Sequence, residues 1–424
     1  MHDIKFIKEN QELFDESLKK RNLEPLSKTI THIHNEYLES LNKLQQLQQE
    51  RNELSKNFSH SRPNSLDNIK ENVSIIKKKI SELNTINEAK LDKLNRIILE
   101  IPNILDKKVP LGNSEEDNKV IRVDGKIREF DFPTKNHLDV AECLGLLDYE
   151  KAIKLSGSRF SVLKSKLALM HRALINFMLD NNTLEFGYLE HTVPELVKSE
   201  CLVGTGQLPK FSQDLFKTNF NELWLIPTSE VSLTNLNREQ IISSDNLPLR
   251  YTSFTNCFRS EAGSSGTDTK GLMREHQFGK VELVSITNSR NSMSELQRMI
   301  NCATRILEKL EIPYRLVELC STDTGFSSSY TIDIEVWMPG QNQYREVSSC
   351  SNCKDFQSRR MKMRIKDHIT KEISYPHTLN GSSLAVGRVI VSILENFQNK
   401  DGSVTIPKIL RNYMNNIKTL NVDE

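Results

Sequence analysis

What this chain has little of narrows its function first. It carries almost no net charge: 57 Lys plus Arg stand against 56 Asp plus Glu, a formal balance of +1. No global field gathers polyanions, so any nucleic-acid-binding surface must be local. No apolar run approaches the roughly 18 residues of a membrane-spanning helix, so no membrane partner is expected. Cysteine is sparse, seven in all, odd in number and scattered. That pattern argues against a disulfide framework and for a reducing compartment. The start, MHDIKFIKENQELF, has an acid at position 3 and neither an apolar stretch nor an Arg-rich presequence. The expected location is therefore cytoplasmic. At 424 residues the chain is long enough for two or three domains.

Glycine is absent and proline occurs once between residues 27 and 100. Ile33, Tyr37, Leu41, Leu44, Leu47, Arg51, Leu54 and Phe58 recur there at spacings of three and four. After a break at SHSRPNS (59–65), Ile69, Val73, Ile76, Ile80, Leu83, Leu91, Leu94 and Ile98 repeat the pattern, interrupted by Asn87 and Lys90. Each run is about 45 Å of helix at about 1.5 Å per residue. Two such stripes predict an antiparallel coiled-coil hairpin. From 43 to 93, ten basic residues, among them Lys70, Lys77, Lys78 and Lys79, stand against seven acids. A solvated coiled coil and a grip on phosphate backbone both fit that count.

The remainder reads as α+β. IPNILDKKVPLGNSEEDN (101–118) is a linker, and VIRVDGKIREFDF predicts a hairpin turning at Asp124-Gly125. LKSKLALMHRALINFMLDNN (163–182) is a helix with a wide apolar face. LWLIP, RYTSFTNCFRSE, QFGKVELV, IDIEVWM and YREVSS read as strands. They do not alternate regularly with helices, which favours an antiparallel sheet over a doubly wound one.

FRSEAGSSGTDTKGLMREHQF (258–278) sets charged flanks around a polar loop. By the period of two, Arg259 and Glu261 share a face in one strand, and Phe278, Lys280 and Glu282 share a face in the returning one. The set Arg259, Glu261, Phe278 and Glu282 offers a guanidinium for phosphate, a ring for a base, and carboxylates for amine or hydroxyl. Ordinary cross-strand ion pairs would use the same residues. YREVSSCSN (344–352) puts Glu346 near Ser348 and Ser349, hard oxygens suited to Mg2+. IPTSE (226–230) adds two hydroxyls and a carboxylate, and TLNGSSLAVGR (378–388) runs from a glycine-containing turn into a helix bearing Arg388.

In their order these stretches resemble the seryl-tRNA synthetases of bacterial type, within the class II aminoacyl-tRNA synthetases. Residues 153–190 are similar to motif 1, FRSEAGSSGTDTKGLMREHQFGKVELV to motif 2 and LNGSSLAVGR to motif 3. GTGQLPKF (204–211), YREVSSCSNCKDFQSRR (344–360) and the hairpin extend the likeness over essentially the whole chain. The resemblance implies a class II antiparallel sheet flanked by helices behind an N-terminal helical hairpin. Its domains would be 1–105 for tRNA binding (hairpin about 27–100), 106–136 as linker and hairpin, and 137–424 for catalysis.

It also implies two steps, seryl-adenylate formation from serine and ATP, then transfer to the 3′ end of tRNA(Ser), with tRNA(Sec) as a further acceptor. Arg259 would grip the α-phosphate and the serine carboxylate, and Arg388 the γ-phosphate, as the catalytic pair. Ser260, Glu261, Arg274, Glu275, His276, Gln277, Phe278, Val347 and Ser348 would line the ATP site. Glu261 would take the adenine amine and Phe278 its ring. Glu346 and Ser349 would hold Mg2+. Thr228, Ser229, Glu230, Arg259, Glu282 and Ser382 would read serine. Lys70, Lys77, Lys78 and Lys79 would meet tRNA, and motif 1 would build a homodimer.

Cys350-Ser-Asn-Cys353 has zinc-like spacing without a second pair, and no zinc is expected. His137 reads as structural. Three positions depart from the family pattern: Ser383 for Gly or Ala, and Tyr330 and Ile332 for lysine and tyrosine. A paralogue that loads a carrier protein would lack the long hairpin. A binding protein that had lost catalysis would lack Arg259, Glu346 or Arg388, and all three are present.

Overall fold

Helix dominates the first unit, Met1–Pro102, because no glycine or internal proline interrupts its apolar stripes. The second unit is Asn103–Glu424. The computed structural model describes residues 1–58, 66–263 and 271–421. The expected hairpin break at 59–65 and residues 264–270 of the polar loop lie outside them.

In the first unit, α1 (Ile4–Glu9) is capped by Asp3, whose carboxylate accepts from Lys5 N at 2.8 Å. After α2 (Gln11–Lys20), Asp15 accepts from Leu26 N, Ser27 N and Ser27 Oγ and so launches α3 (Ser27–Phe58). α4 is Leu66–Leu99. Leu44, Ile76 and Ile80 form the buried seam, with Leu41, Leu47, Leu54 and Leu83 against them. Lys90 Nζ donates to the Glu36 carbonyl at 3.2 Å. Glu36 thus meets Lys90 while Leu44 packs with Ile80, the opposed numbering of an antiparallel pair. The interruption at Asn87 is buried in this packing, at 6% exposure.

The second unit is built on an eight-stranded sheet. Its strands are β1 (Lys119–Asp124), β2 (Leu189–Glu190), β3 (Leu249–Phe258), β4 (Gln277–Thr287), β5 (Tyr314–Glu318), β6 (Tyr330–Met338), β7 (Gln343–Lys354) and β8 (His377–Ala385). Their order is β1-β5-β6-β7-β8-β4-β3-β2. Every neighbouring pair is antiparallel except β2 with β3. One face is covered by α5 (Ser165–Asp180), α7 (Ser292–Leu310) and α9 (Val386–Asn396). Val281 and Leu283 of β4 point into that core beside Met170, Met299 and Ile390. The residues alternating with them, Lys280 and Glu282, therefore face the opposite side, as the period of two predicts. There, α6 (Glu230–Asn235) and α8 (Phe356–Arg360) frame one end over Val284 and Ile286.

Two local expectations are corrected. Asp124-Gly125 does not turn a hairpin: β1 pairs with β5, Asp124 opposite Tyr314, and residues 126–130 form no strand. A distant strand outcompetes the local partner. Nor is Gly381 in a turn. It lies within β8, where a Cβ would stand 2.8 Å from Cys350 Sγ and 2.9 Å from Met299 Sδ. Glycine there permits close approach of strand and helix.

The three departures are absorbed without breaking the strands. Tyr330 OH donates to Glu318 Oε1 at 2.5 Å, and Ile332 is core at 2% exposure. Ser383 is buried and donates to Asn182 Oδ1 at 3.0 Å. His137 is likewise structural, buried with Nδ1 at 3.3 Å from Glu395 Oε1.

Candidate active site

The open face of the sheet carries two adjoining cavities that share Arg259, Glu261 and Arg274. The first, about 250 Å3, is lined by Phe278 and Lys280 of β4, Glu346 and Val347 of β7, Ser382 of β8 and Arg388 of α9, with Glu275 beside them. The second, about 460 Å3, is lined by Thr228 and Glu230 at the start of α6. A third, of about 760 Å3, continues from Arg274, Glu346 and Arg388 to Asp333 and Ser349.

Three guanidiniums converge here. Arg259 lies 5.2 Å above the Phe278 ring and donates to the Pro227 carbonyl at 3.3 Å. Arg274 pairs with Glu261 at 3.3 Å. Arg388 pairs with the Glu346 carboxylate at 3.2 Å and donates to the Glu346 carbonyl at 2.8 Å. Neighbouring groups displace part of the water around the Glu346 carboxyl, whose side chain remains 45% exposed, but Arg388 and Arg259 outweigh that loss and hold its pKa below the ordinary value.

A bulge makes the next contact. β7 slips register between Glu346 and Ser348, so Glu346 stands opposite Glu335 and Ser349 opposite Asp333. Glu335 and Asp333, two apart on β6, share a face, and the bulge puts Glu346 and Ser349 on one face as well. Strict alternation would have separated them. Asp333 is half-buried beside them in the same cavity, and loss of water with the nearby Glu346 charge raises its pKa well above the ordinary carboxylate value. Its Oδ1 has no hydrogen-bond partner among the described residues. A hard cation fits this oxygen set, Glu346 and Ser349 with an orphaned carboxylate oxygen beside them.

At the other end, Lys280 is 8% exposed at its side chain, pairs with Glu282 at 2.5 Å and donates to Thr228 Oγ1 at 2.9 Å. Thr228 donates in turn to Glu282 Oε2 at 3.1 Å. Burial and the Glu282 charge push the Glu230 carboxyl up to about 7. Burial pushes Glu275 up to about 7 as well, against the opposing bond from Ser161 Oγ at 2.5 Å.

The cavities thus gather Arg259, Glu261, Arg274, Glu275, Phe278, Glu346, Val347, Ser349, Ser382, Arg388, Thr228 and Glu230. The other expected residues stand behind or beside them. Ser260 donates to the Gln213 carbonyl, His276 Nδ1 to the Arg259 carbonyl, and Ser348 to the Ser382 carbonyl. Ser229 is fully buried, Glu282 is 1% exposed behind Thr228, and Gln277 is exposed on the opposite face from Phe278. Lys280, Asp333 and Gln357 were not singled out from sequence. The period of two marked Lys280, but nothing local marked the other two. Cys350 and Cys353 are both buried, and burial pushes the Cys350 thiol up to about 12.

Lys70, Lys77, Lys78 and Lys79 lie apart from these residues in sequence, all exposed on α4 of the first unit. Lys77–Lys79 fall between the seam residues Ile76 and Ile80.

Comparison with known proteins bears on the family and the fold. Residues 1–105 match the seryl-tRNA synthetase N-terminal domain, and residues 211–397 the tRNA synthetase class II core domain (G, H, P, S and T). A serine–tRNA ligase of Ehrlichia ruminantium (strain Gardel) is 51% identical over 98% of each chain. That of Zymomonas mobilis is 47% identical over the whole of both chains. The crystal structure of seryl-tRNA synthetase from Pyrococcus horikoshii complexed with ATP superposes with a TM-score of 0.92 at 35% identity, covering all of both chains. Full-length identity of this order, on a sheet that brings the three motifs together, places the chain in the seryl-tRNA synthetase family.

Proposed function

We propose that the cavities on the open face join serine to ATP and then pass the seryl group to tRNA(Ser). The observation that carries this reading is the convergence of Arg259, Arg274 and Arg388 on one cavity that adjoins the Thr228–Glu230 pocket. In the first step a serine carboxylate oxygen bonds to the α-phosphorus while the bond to the β-phosphate oxygen breaks and pyrophosphate leaves. The carboxylate is already a nucleophile, so no side chain has to remove a proton. What the chain supplies is alignment and compensation for charge on the phosphoryl oxygens.

Arg259 bridges the two cavities and so reaches both the serine carboxylate and the α-phosphate. Arg388 and Arg274 face the outer phosphates. Phe278 offers its ring to adenine, and Glu261 a carboxylate to the exocyclic amine. Glu346 and Ser349, with Asp333 beside them, would hold Mg2+, which supplies positive charge against the phosphates. Glu282 and Thr228 receive the serine ammonium, and Glu230 accepts its hydroxyl. Lys280 keeps Glu282 compensated. Rejecting alanine follows, because its methyl group would leave one oxygen of the buried Glu230 carboxyl without a partner.

The exposed lysines of α4 support a tRNA grip by the first unit, through backbone and shape. Val120, Ile121 and Val123 of the edge strand β1 are 43%, 47% and 59% exposed, which supports pairing with a second copy. No helix among the described residues is long and apolar enough to cross a membrane. We place the activity in the cytoplasm, where tRNA is charged.

The test is ATP–pyrophosphate exchange with serine, alanine, threonine and cysteine. Strong exchange with serine alone is expected. Exchange equal across the four, or none from a folded protein that still binds tRNA, would overturn the reading.

A further inference from the structure

Gln357 has no part in the steps above, yet its surroundings leave it a single orientation. It is completely buried on α8. Its Nε2 donates to Glu230 Oε1 at 2.6 Å and to the Thr205 carbonyl at 3.2 Å. Thr378 Oγ1, buried on β8, donates to its Oε1 at 2.6 Å. Rotating the amide by half a turn would set its oxygen against the Thr205 carbonyl, an acceptor with no proton to share, and would withdraw its N–H from Glu230. The two acceptors therefore fix the amide, and Thr378 completes it. The same bond occupies one oxygen of Glu230, while Glu230 lines the pocket at 7% exposure.

We propose that Gln357 is a positioning residue for amino-acid selection. Anchored by Thr378 and Thr205, it holds one Glu230 oxygen away from the pocket and leaves the other as the acceptor for the substrate hydroxyl. The selectivity of the pocket is thus set from a segment that never touches the substrate. This inference rests on the reading of Glu230 as the hydroxyl acceptor.

A carboxylate free to rotate would lose its aim before it lost its charge. Gln357→Met keeps the volume and removes the donor. Thr378→Val removes the anchoring hydroxyl while keeping its shape, and Thr378→Ser restores it. Exchange kinetics are read with serine and with alanine, alongside the KM for ATP and thermal melting. In Gln357→Met we expect the serine KM to rise about tenfold or more and the serine-to-alanine preference to fall by a similar factor, with the ATP KM unchanged. Thr378→Val should show the same pattern more weakly, and Thr378→Ser should return it to the parent values. If Gln357→Met does not fold, the Thr378 pair carries the test.

Unchanged serine KM and preference in folded Gln357→Met, or equal rises in the serine and ATP KM values, would overturn the proposal. Glu230→Gln separates the two levels. If it too leaves serine binding intact, the pocket assignment fails. If it raises the serine KM while Gln357→Met does not, only the positioning role fails.

Discussion

The two units handle charge in opposite ways. Along the hairpin, the apolar seam of Leu44, Ile76 and Ile80 does the packing, and Lys77–Lys79 stand exposed outside it. On the sheet the charges are drawn together at the cavity wall: Lys280 lies buried against Glu282, Arg388 pairs with the part-exposed Glu346, and Asp333 is half-buried beside them. An exposed lysine interacts through water and salt, so each contributes little and acts additively with its neighbours. A buried charge is worth far more and fails badly when its partner goes. The difference suits the tasks we propose for the two units, since a long polyanion is held by many weak contacts and a reacting phosphate by a few aligned ones.

The largest break in this contrast should come from Arg259. Arg259→Ala is expected to lower serine-dependent pyrophosphate exchange by about 10²–10³-fold, the loss seen when an aligned transition-state donor is removed. Filter binding of tRNA by the same variant should stay within about twofold.

Next in size is the cost of an inward-facing carboxyl. Burial holds Glu275 near a pKa of 7, against 4.5 ordinarily. Between those values the folded chain keeps a proton that the unfolded chain has lost, so stability falls as pH rises through the window and levels off above it. Glu275→Gln removes that dependence while keeping a group for Ser161. Its stability relative to the parent should rise by on the order of 2–3 kcal/mol from pH 4.5 to 7, measured by denaturant unfolding. An equal offset at every pH would refute the buried-acid account.

The outward charges should behave differently. Replacing Lys77, Lys78 and Lys79 by Gln is expected to weaken tRNA binding about 10- to 100-fold at fixed low salt and to flatten its salt dependence. Exchange without tRNA should be untouched. A parallel loss of exchange would show that the units do not divide the work in this way.

The smallest effect sharpens the contrast from within the sheet. Tyr330→Phe removes the bond to Glu318 and should cost about 1 kcal/mol in unfolding experiments, without altering exchange.

Legibility followed the range of the interactions. The hairpin was plain because its stripes are local and repeat with the helical turn. The face of β4 bearing Phe278, Lys280 and Glu282 was equally plain, since alternation needs no knowledge of neighbours. The predicted hairpin at Asp124-Gly125 failed because a turn signal says nothing of a competing strand 190 residues away, where Tyr314 meets Asp124. Gly381 was misread because glycine marks turns and close approaches alike, and only the packing of Cys350 and Met299 distinguishes them.

By itself, then, the sequence determined the helical hairpin, the α+β class, and the cast of arginines, carboxylates and hydroxyls available for the chemistry. These follow from short-range periodicity and from residue type. Tertiary structure alone decided that a bulge in β7 brings Glu346 and Ser349 to one face. It also decided that one oxygen of Asp333 beside them is left without a hydrogen-bond partner among the described residues and that Gln357 holds Glu230. Each of these depends on groups that meet across strands or across more than a hundred residues of chain, where burial removes the competing water and makes geometry decide which charge is paired.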